Sequence, residues 1–480
     1  MYVKTKHVQQ LCRGCGVNGP QERTNSRWWL PGVVVVELKQ QLPPGPIFPP
    51  PHLTNEETGL ALVRLRERVG NLMVKPPRRT FAFENNHGPA NPNYERFVTF
   101  YLHPDVNVPE VAKGLSEIGG VMRASGEPIL SPPVKRIPLT APNADTFADT
   151  LETGLLNEPL AVSGGQQFGV SVTVGPQQLN NQWYLFRSKA DTVVENGING
   201  SGVVVADVDW GFNVDHQEFQ NRIQYKYNAS RDNDDVSSGP LKWHGTATLG
   251  FVGAGDNDAG MLGYAAGAEL WAIQGQDEGG NIDNHSWARA IEKARTTPSG
   301  GKRKVILIEA STDSGYNVEA SPTLREPIKA AIESSNCIVC VPAGNNGVNA
   351  GYDEAGVEIP PTGSILVGAT QYRDDPTVIK RGTSNWGSRV VVSAPGADRN
   401  DLTCCDCGID TYRNDFGGTS GATAKVAGAM AQLLQAYPNL TNQQIVTILK
   451  TRMPSIAVTT GRPIGSFLNV SEMIAQAALL

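Results

Sequence analysis

Phe416-Gly-Gly-Thr-Ser-Gly-Ala-Thr-Ala-Lys-Val-Ala-Gly428 sets one serine, Ser420, between a glycine turn and a run of small apolar residues. From Ser420 onward, Ala422, Ala424, Val426, Ala427, Ala429, Met430, Leu433 and Leu434 recur so densely that the spacing predicts a helix buried on nearly every side. A hydroxyl in its first turn meets unpaired N–H groups and the positive end of the helix dipole, which favour negative charge growing on a reacting carbonyl oxygen. Gly-Thr-Ser before an apolar run is also an ordinary helix cap, so this segment alone leaves nucleophile and cap both open.

The chain has 480 residues, 40% hydrophobic and 18% charged, which fits a folded chain with a sizeable core divided among two to four domains. A net charge of −6 supplies no basic footprint, so neither nucleic acid nor a membrane surface is expected as a partner. Residues 1–27 are polar and lack an apolar core of signal-peptide length, and Val33 to Val36 is too short to cross a bilayer; cytoplasmic residence is the expectation. Seven cysteines are odd in number, so at least one thiol stays unpaired within the chain. Cys12 and Cys15 with two of Cys404, Cys405 and Cys407 would make a four-thiolate zinc site, while reduced thiols or a local disulfide are the alternative.

Residues 1–30 show no periodicity and read as a tail. Strands are expected over 33–38, 96–102 and 120–124 and helices over 56–69 and 108–118, the first helix turning Leu60, Leu62, Val63, Leu65 and Val69 inward. Together they suggest a small α+β domain over 31–125, with proline-rich 43–51 as an internal loop. Residues 126–178, rich in Pro, Thr, Gly and Gln, read as a linker. Over 179–480 apolar strands alternate with helical stretches, the pattern of an α/β domain with a mostly parallel sheet flanked by helices.

Three further residues stand in suggestive settings. Asp209 follows the Gly/Val/Ala-rich stretch 202–208, at the strand end where α/β proteins place their sites, although a turn aspartate before Gly211 reads equally well. His244 lies in Trp243-His-Gly-Thr-Ala247 at the start of an apolar helix, where it is either functional or a capping or core histidine. Asn345 lies in Pro342-Ala-Gly-Asn-Asn-Gly347, as turn chemistry or as a side-chain donor to an oxyanion.

Taken in order, the segments around Asp209, His244, Asn345 and Ser420 resemble the four signature motifs of the subtilisin-like serine proteases, the subtilases. The resemblance extends to Met261-Leu-Gly-Tyr-Ala-Ala-Gly-Ala-Glu-Leu-Trp271, Ser286-Trp287, Val367-Gly-Ala369, Ser384-Asn-Trp-Gly387 and Ala394-Pro-Gly396, and covers about residues 180–475. It implies that Ser420 attacks a peptide carbonyl, His244 carries the proton, Asp209 orients the imidazole and Asn345 helps bind the oxyanion. No cofactor is implied for the chemistry. The implied partner is a protein or peptide substrate, with Gly279, Gly280, Glu309 and Ser311 along it.

The chain departs from the family pattern at Ala424, where proline is usual, at Trp210, where a small residue is common, and at Glu309, where serine is usual; Ser311 is the alternative equivalent of that serine. Similarity to the family also implies that 31–125 is a prodomain acting as intramolecular inhibitor, with an appended binding domain as the alternative. Self-cleavage is expected between 155 and 178. Gly255-Asp-Asn-Asp-Ala-Gly260 follows the histidine helix where similar proteases carry a calcium loop, so Asp256 and Asp258 are candidate ligands, or else a polar turn. A subtilase-shaped interaction protein and a specialised peptide-processing protease remain rival readings.

Overall fold

The computed structural model describes residues 29–42, 47, 56–81, 92–128, 130–131, 182–257, 260–276, 283–372, 377–397, 401–454 and 461–480. The tail up to residue 28, Cys12 and Cys15 with it, residues 132–178 of the expected linker and 179–181 after it, most of the 43–51 loop, Asp258, Gly279 and Gly280 lie outside the described residues.

At the N-terminal end, β1 (Trp29–Leu38), α1 (Glu56–Val69), β2 (Met73–Arg79), β3 (Phe97–Leu102), α2 (Val108–Ser116) and β4 (Val121–Pro128) form a four-stranded antiparallel sheet in the order β2-β3-β1-β4. Val34, Val36 and Leu38 of β1 face the helices of this unit, while Val35 joins a core shared with the C-terminal body. A sheet covered on both faces explains the unbroken Val33-Val-Val-Val36 run, since neither side needs polar residues.

Two expectations are corrected here. Leu60 and Val63 of α1 point outward, 55% and 41% exposed, because the inward stripe is Thr58, Ala61, Leu62, Leu65 and Val69 at helical spacing. Strand β2 is absent from the sequence reading: its Met-Val-Lys-Pro-Pro-Arg-Arg carries two prolines and three bases, which an edge strand tolerates because one side of it needs no ladder hydrogen bonds.

The body contains α3 (Trp183–Arg187), α4 (Ala190–Glu195), β6 (Val203–Asp209), β7 (Ile223–Asn228), α5 (Lys242–Gly253), β8 (Glu269–Gln274), α6 (Asn284–Thr296) and β9 (Arg303–Ile308). It is preceded by β5 (Leu130–Ser131) and continues with β10 (Ser311–Thr312), α7 (Pro322–Ser335), β11 (Ile338–Pro342), β12 (Ile365–Thr370) and β13 (Val392–Pro395). The last elements are β14 (Thr403–Cys404), β15 (Tyr412–Arg413), α8 (Gly418–Ala436), α9 (Asn442–Thr451), β16 (Ser466–Phe467) and α10 (Val470–Ala477). Eight strands pair in parallel in the order β16-β13-β12-β11-β9-β6-β8-β7. Helices α5 and α8 cover one face and α6 and α7 the other.

Helix α8 is enclosed as its small residues require, and even its Lys425 is 0% exposed. That ammonium is answered by Asp401 at 2.5 Å and the Pro395 carbonyl at 2.9 Å, which offsets the cost of burying it. Among the described residues no helix is long and apolar enough to cross a membrane. Of the cysteine trio, Cys405 and Cys407 form a disulfide and Cys404 is a buried free thiol, so among the described residues these three offer no set of thiolates for zinc.

The chain does not become a linker at residue 126. Strand β4 runs on to Pro128, and the Glu127 carboxylate enters the start of both α6 and α7, accepting hydrogen bonds from Asn284, Ser321 and Thr323. A carboxylate among the free N-terminal donors of two helices is electrostatically well placed. Next, β5 pairs antiparallel with β10, Ser131 opposite Ser311 and Leu130 opposite Thr312.

Candidate active site

Asp209 ends β6 at the C-terminal edge of the sheet and is 0% exposed. His244 lies in the first turn of α5, which returns its ring to that edge, with Nδ1 2.9 Å from both Asp209 carboxylate oxygens. This contact puts the ring proton on Nδ1 and leaves the Nε2 lone pair to accept another. The ring packs edge-on to Phe416 at 5.0 Å, just before α8. One turn further along α5, the Thr248 hydroxyl lies 2.8 Å from Asp207 and 3.0 Å from Asp209, and it has one proton to share between them. The Trp210 N–H also donates to Asp209 at 2.5 Å. Asp207, wholly buried beside Asp209, has its carboxyl pushed well above the usual range, first by burial and then by its neighbour's charge.

Ser420 is half-buried in the first turn of α8, where an α-helix leaves its N–H donors unspent. Gly418 enters that turn at φ +68°, and a β-carbon there would lie 3.0 Å from the Asn345 side-chain oxygen. Asn345 thus comes close to the helix start, where its oxygen accepts the Thr419 N–H at 3.0 Å. Its amide group is exposed, and among the described residues its N–H₂ donors meet no protein acceptor. Asn385 shapes this loop, donating to Gly315 and Ala343 carbonyls at 2.7 Å and accepting from the Asn346 and Val348 N–H groups at 3.1 and 3.0 Å.

The four motif residues therefore converge on one edge of the sheet. The Ser420 hydroxyl makes no hydrogen bond to His244; it lies beside the Glu309 carboxyl. Glu309 follows β9, the neighbour of β6, and is 1% exposed. Its backbone is fixed by its N–H to Val208 at 3.0 Å and by the Trp210 indole N–H to its carbonyl at 2.9 Å. Neither carboxylate oxygen completes a hydrogen bond. Burial first, then the charges of Asp209 and Asp207, pushes the Glu309 carboxyl well above the usual range, with the Ser420 hydroxyl partly opposing.

Ser311 sits in β10 two residues beyond Glu309, and Asp256 is exposed. The carboxylate that faces the 255–257 loop is Glu218, which the sequence reading did not single out: Oε1 accepts from Tyr412 and from the Met261 N–H at 3.3 Å, and Oε2 has no partner. Burial pushes this group up to about 7, with the loop's Asn257 and Gly255 among the groups that oppose the rise. Thr248 was also missed, although a hydroxyl four residues after His244 on one helix face is a readable signal.

The model of the subtilase family matches residues 200–465, more than half of the chain. This chain belongs to the subtilase family. Subtilisin E of Bacillus subtilis (strain 168) is 30% identical over 276 residues, 57% of this chain and 65% of that protein. The chain thus spans just under two thirds of that relative's length. Subtilisin of Bacillus pumilus is 30% identical over 276 residues, 90% of its length. Among solved structures, fervidolysin from Fervidobacterium pennivorans, described as a keratinolytic enzyme related to subtilisin, aligns over 93% of this chain and 61% of its own with a TM-score of 0.58. At 19% identity that likeness speaks for the fold alone.

Proposed function

We propose that this subtilase is a serine endopeptidase with Ser420 as nucleophile. The observation that carries the proposal is the buried Asp209–His244 pair at the edge where α8 begins, with Asn345 tied to the same helix start. His244 Nε2 takes the Ser420 proton as Oγ attacks the substrate carbonyl, then passes it to the leaving amine. Asp209 holds the ring tautomer and stabilises the imidazolium. The Asn345 amide and the Ser420 N–H receive the oxyanion. A fluorophosphonate probe that labels wild type and not Ser420→Ala, together with casein hydrolysis lost in the same variant, is the expected result. Absence of labelling once the N-terminal segment has been cleaved from the already folded chain would instead favour the non-hydrolysing interaction protein.

Residues 29–131 are proposed to act as the folding and inhibitory segment of the same chain. The β5–β10 pairing supports this, because β5 leads the chain along Ser311 toward Glu309 and Ser420. The bond delivered to Ser420 is then expected within a few residues after Ser131, earlier than 155–178. Mass spectrometry should find a new N-terminus there in wild type and an intact Ser420→Ala chain; equal trimming of both would assign processing to another protease.

A structural calcium ion is proposed beside Glu218, whose unpartnered Oε2 fits a cation facing the 255–257 loop. Bound there by that carboxylate, it would neutralise a buried charge.

A further inference from the structure

Glu309 has no role in the chemistry above, yet it is the group beside which the Ser420 hydroxyl lies. The pinned backbone leaves its side chain little room to leave, and the surrounding protein offers its two oxygens no completed hydrogen bond. Around it stand Asp207 and Asp209 from β6, the Cys340 thiol from β11 and Ser420 from α8, while His244 approaches Asp209 from α5. Of these only protonated His244 carries positive charge, and it is committed to Asp209.

We propose that Glu309 is a positioning residue for the nucleophile: its carboxylic acid O–H donates to Ser420 Oγ, so that the serine's own proton points at His244 Nε2. This rests on Ser420 being the nucleophile. The proton count is simple. With the acid intact, Glu309 O–H donates to Oγ and Oγ–H donates to Nε2. When the acid loses its proton to solvent, the carboxylate can only accept, so it draws the Oγ–H away from His244 and the site turns off. Burial among carboxylates holds the group in its acid form at pH values where an exposed glutamate is ionised. Activity is therefore expected to fall on the alkaline side as Glu309 ionises.

Glu309→Gln keeps a donor that cannot ionise, whereas Glu309→Leu keeps the volume without the donor. The rate of Ser420 phosphonylation by a fluorophosphonate and the kcat and KM on one peptide substrate, each across pH, decide the matter. Glu309→Gln should stay within about threefold of wild-type kcat at neutral pH and hold its activity to higher pH than wild type. Glu309→Leu should lose about tenfold or more in kcat and in labelling rate with KM within about twofold. An infrared difference spectrum of wild type minus Glu309→Gln should show a carboxylic acid C=O stretch. If the alkaline limb of Glu309→Gln coincides with that of wild type, or the spectrum shows ionised carboxylate at neutral pH, the proposal is overturned while Ser420-dependent labelling survives. If wild type freed of its N-terminal segment is not labelled, the nucleophile assignment falls and this inference with it.

Discussion

Asp209 and Glu309 stand at the ends of neighbouring strands, β6 and β9, and both are enclosed by protein. Asp209 is answered by the His244 ring, the Trp210 N–H and Thr248. Glu309 is answered by nothing that completes a hydrogen bond. Burial alone raises the cost of any carboxylate, so what separates the two is the donor set that the neighbouring helix supplies. Helix α5 brings His244 and Thr248 to β6, while the first turn of α8 brings β9 one hydroxyl.

The most severe test of this contrast is Asp209→Asn, which keeps the shape of the better-served acid and removes its charge. The His244 ring then loses the acceptor that fixes its tautomer. Turnover should fall about 10⁴-fold with KM little changed, the loss expected when the ring holds the wrong proton. Retention of more than about a tenth of wild-type kcat would mean that Asp209 is a structural acid and that the pairing with His244 is incidental.

Much of this arrangement was legible beforehand. Strands β6, β9 and β11 are each built around a run of Val, Ile, Leu, Ala or Cys because a parallel strand has two apolar neighbours, and such runs announce themselves. The motif residues were legible as types in an order, with gaps of 35 (244 − 209), 101 (345 − 244) and 75 (420 − 345) residues. Those gaps carry no geometry. Nothing in the sequence says that the Glu309 carboxyl is dry or that Asp207 adjoins it, since both follow from packing β6 against β9. Strand β2 was hidden by its prolines and charges, and the docking of Glu127 by a partner set spread over residues 284–323. The phase of α1 was misjudged because Leu60 and Val63 are apolar yet lie off the inward stripe.

Glu127 extends the comparison to an acid with three donors and no histidine. Burial still raises it, and the hydrogen bonds from Ser321, Asn284 and Thr323 oppose that rise. Glu127→Ala would strand those donors at the starts of α6 and α7, at about 1–3 kcal/mol. In a Ser420→Ala background that keeps the chain intact, the melting temperature should drop by a few degrees. Glu127→Gln, which restores two of the roles of the carboxyl, should recover part of the loss. If Glu127→Ala melts with the parent, the N-terminal unit is held by its apolar contacts alone.

Glu218 is the intermediate case, one oxygen served and one not, and it sharpens the comparison with the smallest expected effect. Its pKa is raised to about 7 from the ordinary 4.5. A raised acid favours the folded state most below the unfolded value, and that contribution is lost as pH rises through the folded one. Wild type should therefore lose stability between about pH 4.5 and 7 on account of this group, by no more than about 3.4 kcal/mol. Glu218→Gln should lack that part of the slope. Nearby Arg222 does not cancel the penalty, because its guanidinium is spent on the Gly253 and Ala268 carbonyls at 2.6 and 2.9 Å. Calcium would do so by favouring the ionised acid, so added calcium should raise the melting temperature at pH 8 by a few degrees and leave it unchanged at pH 4.5. The gain should vanish in Glu218→Gln. A melting temperature at pH 8 that ignores both calcium and chelator, with the pH 4.5 to 7 slope still present, would leave Glu218 as a metal-free acid held by Tyr412 and remove the cation from the site.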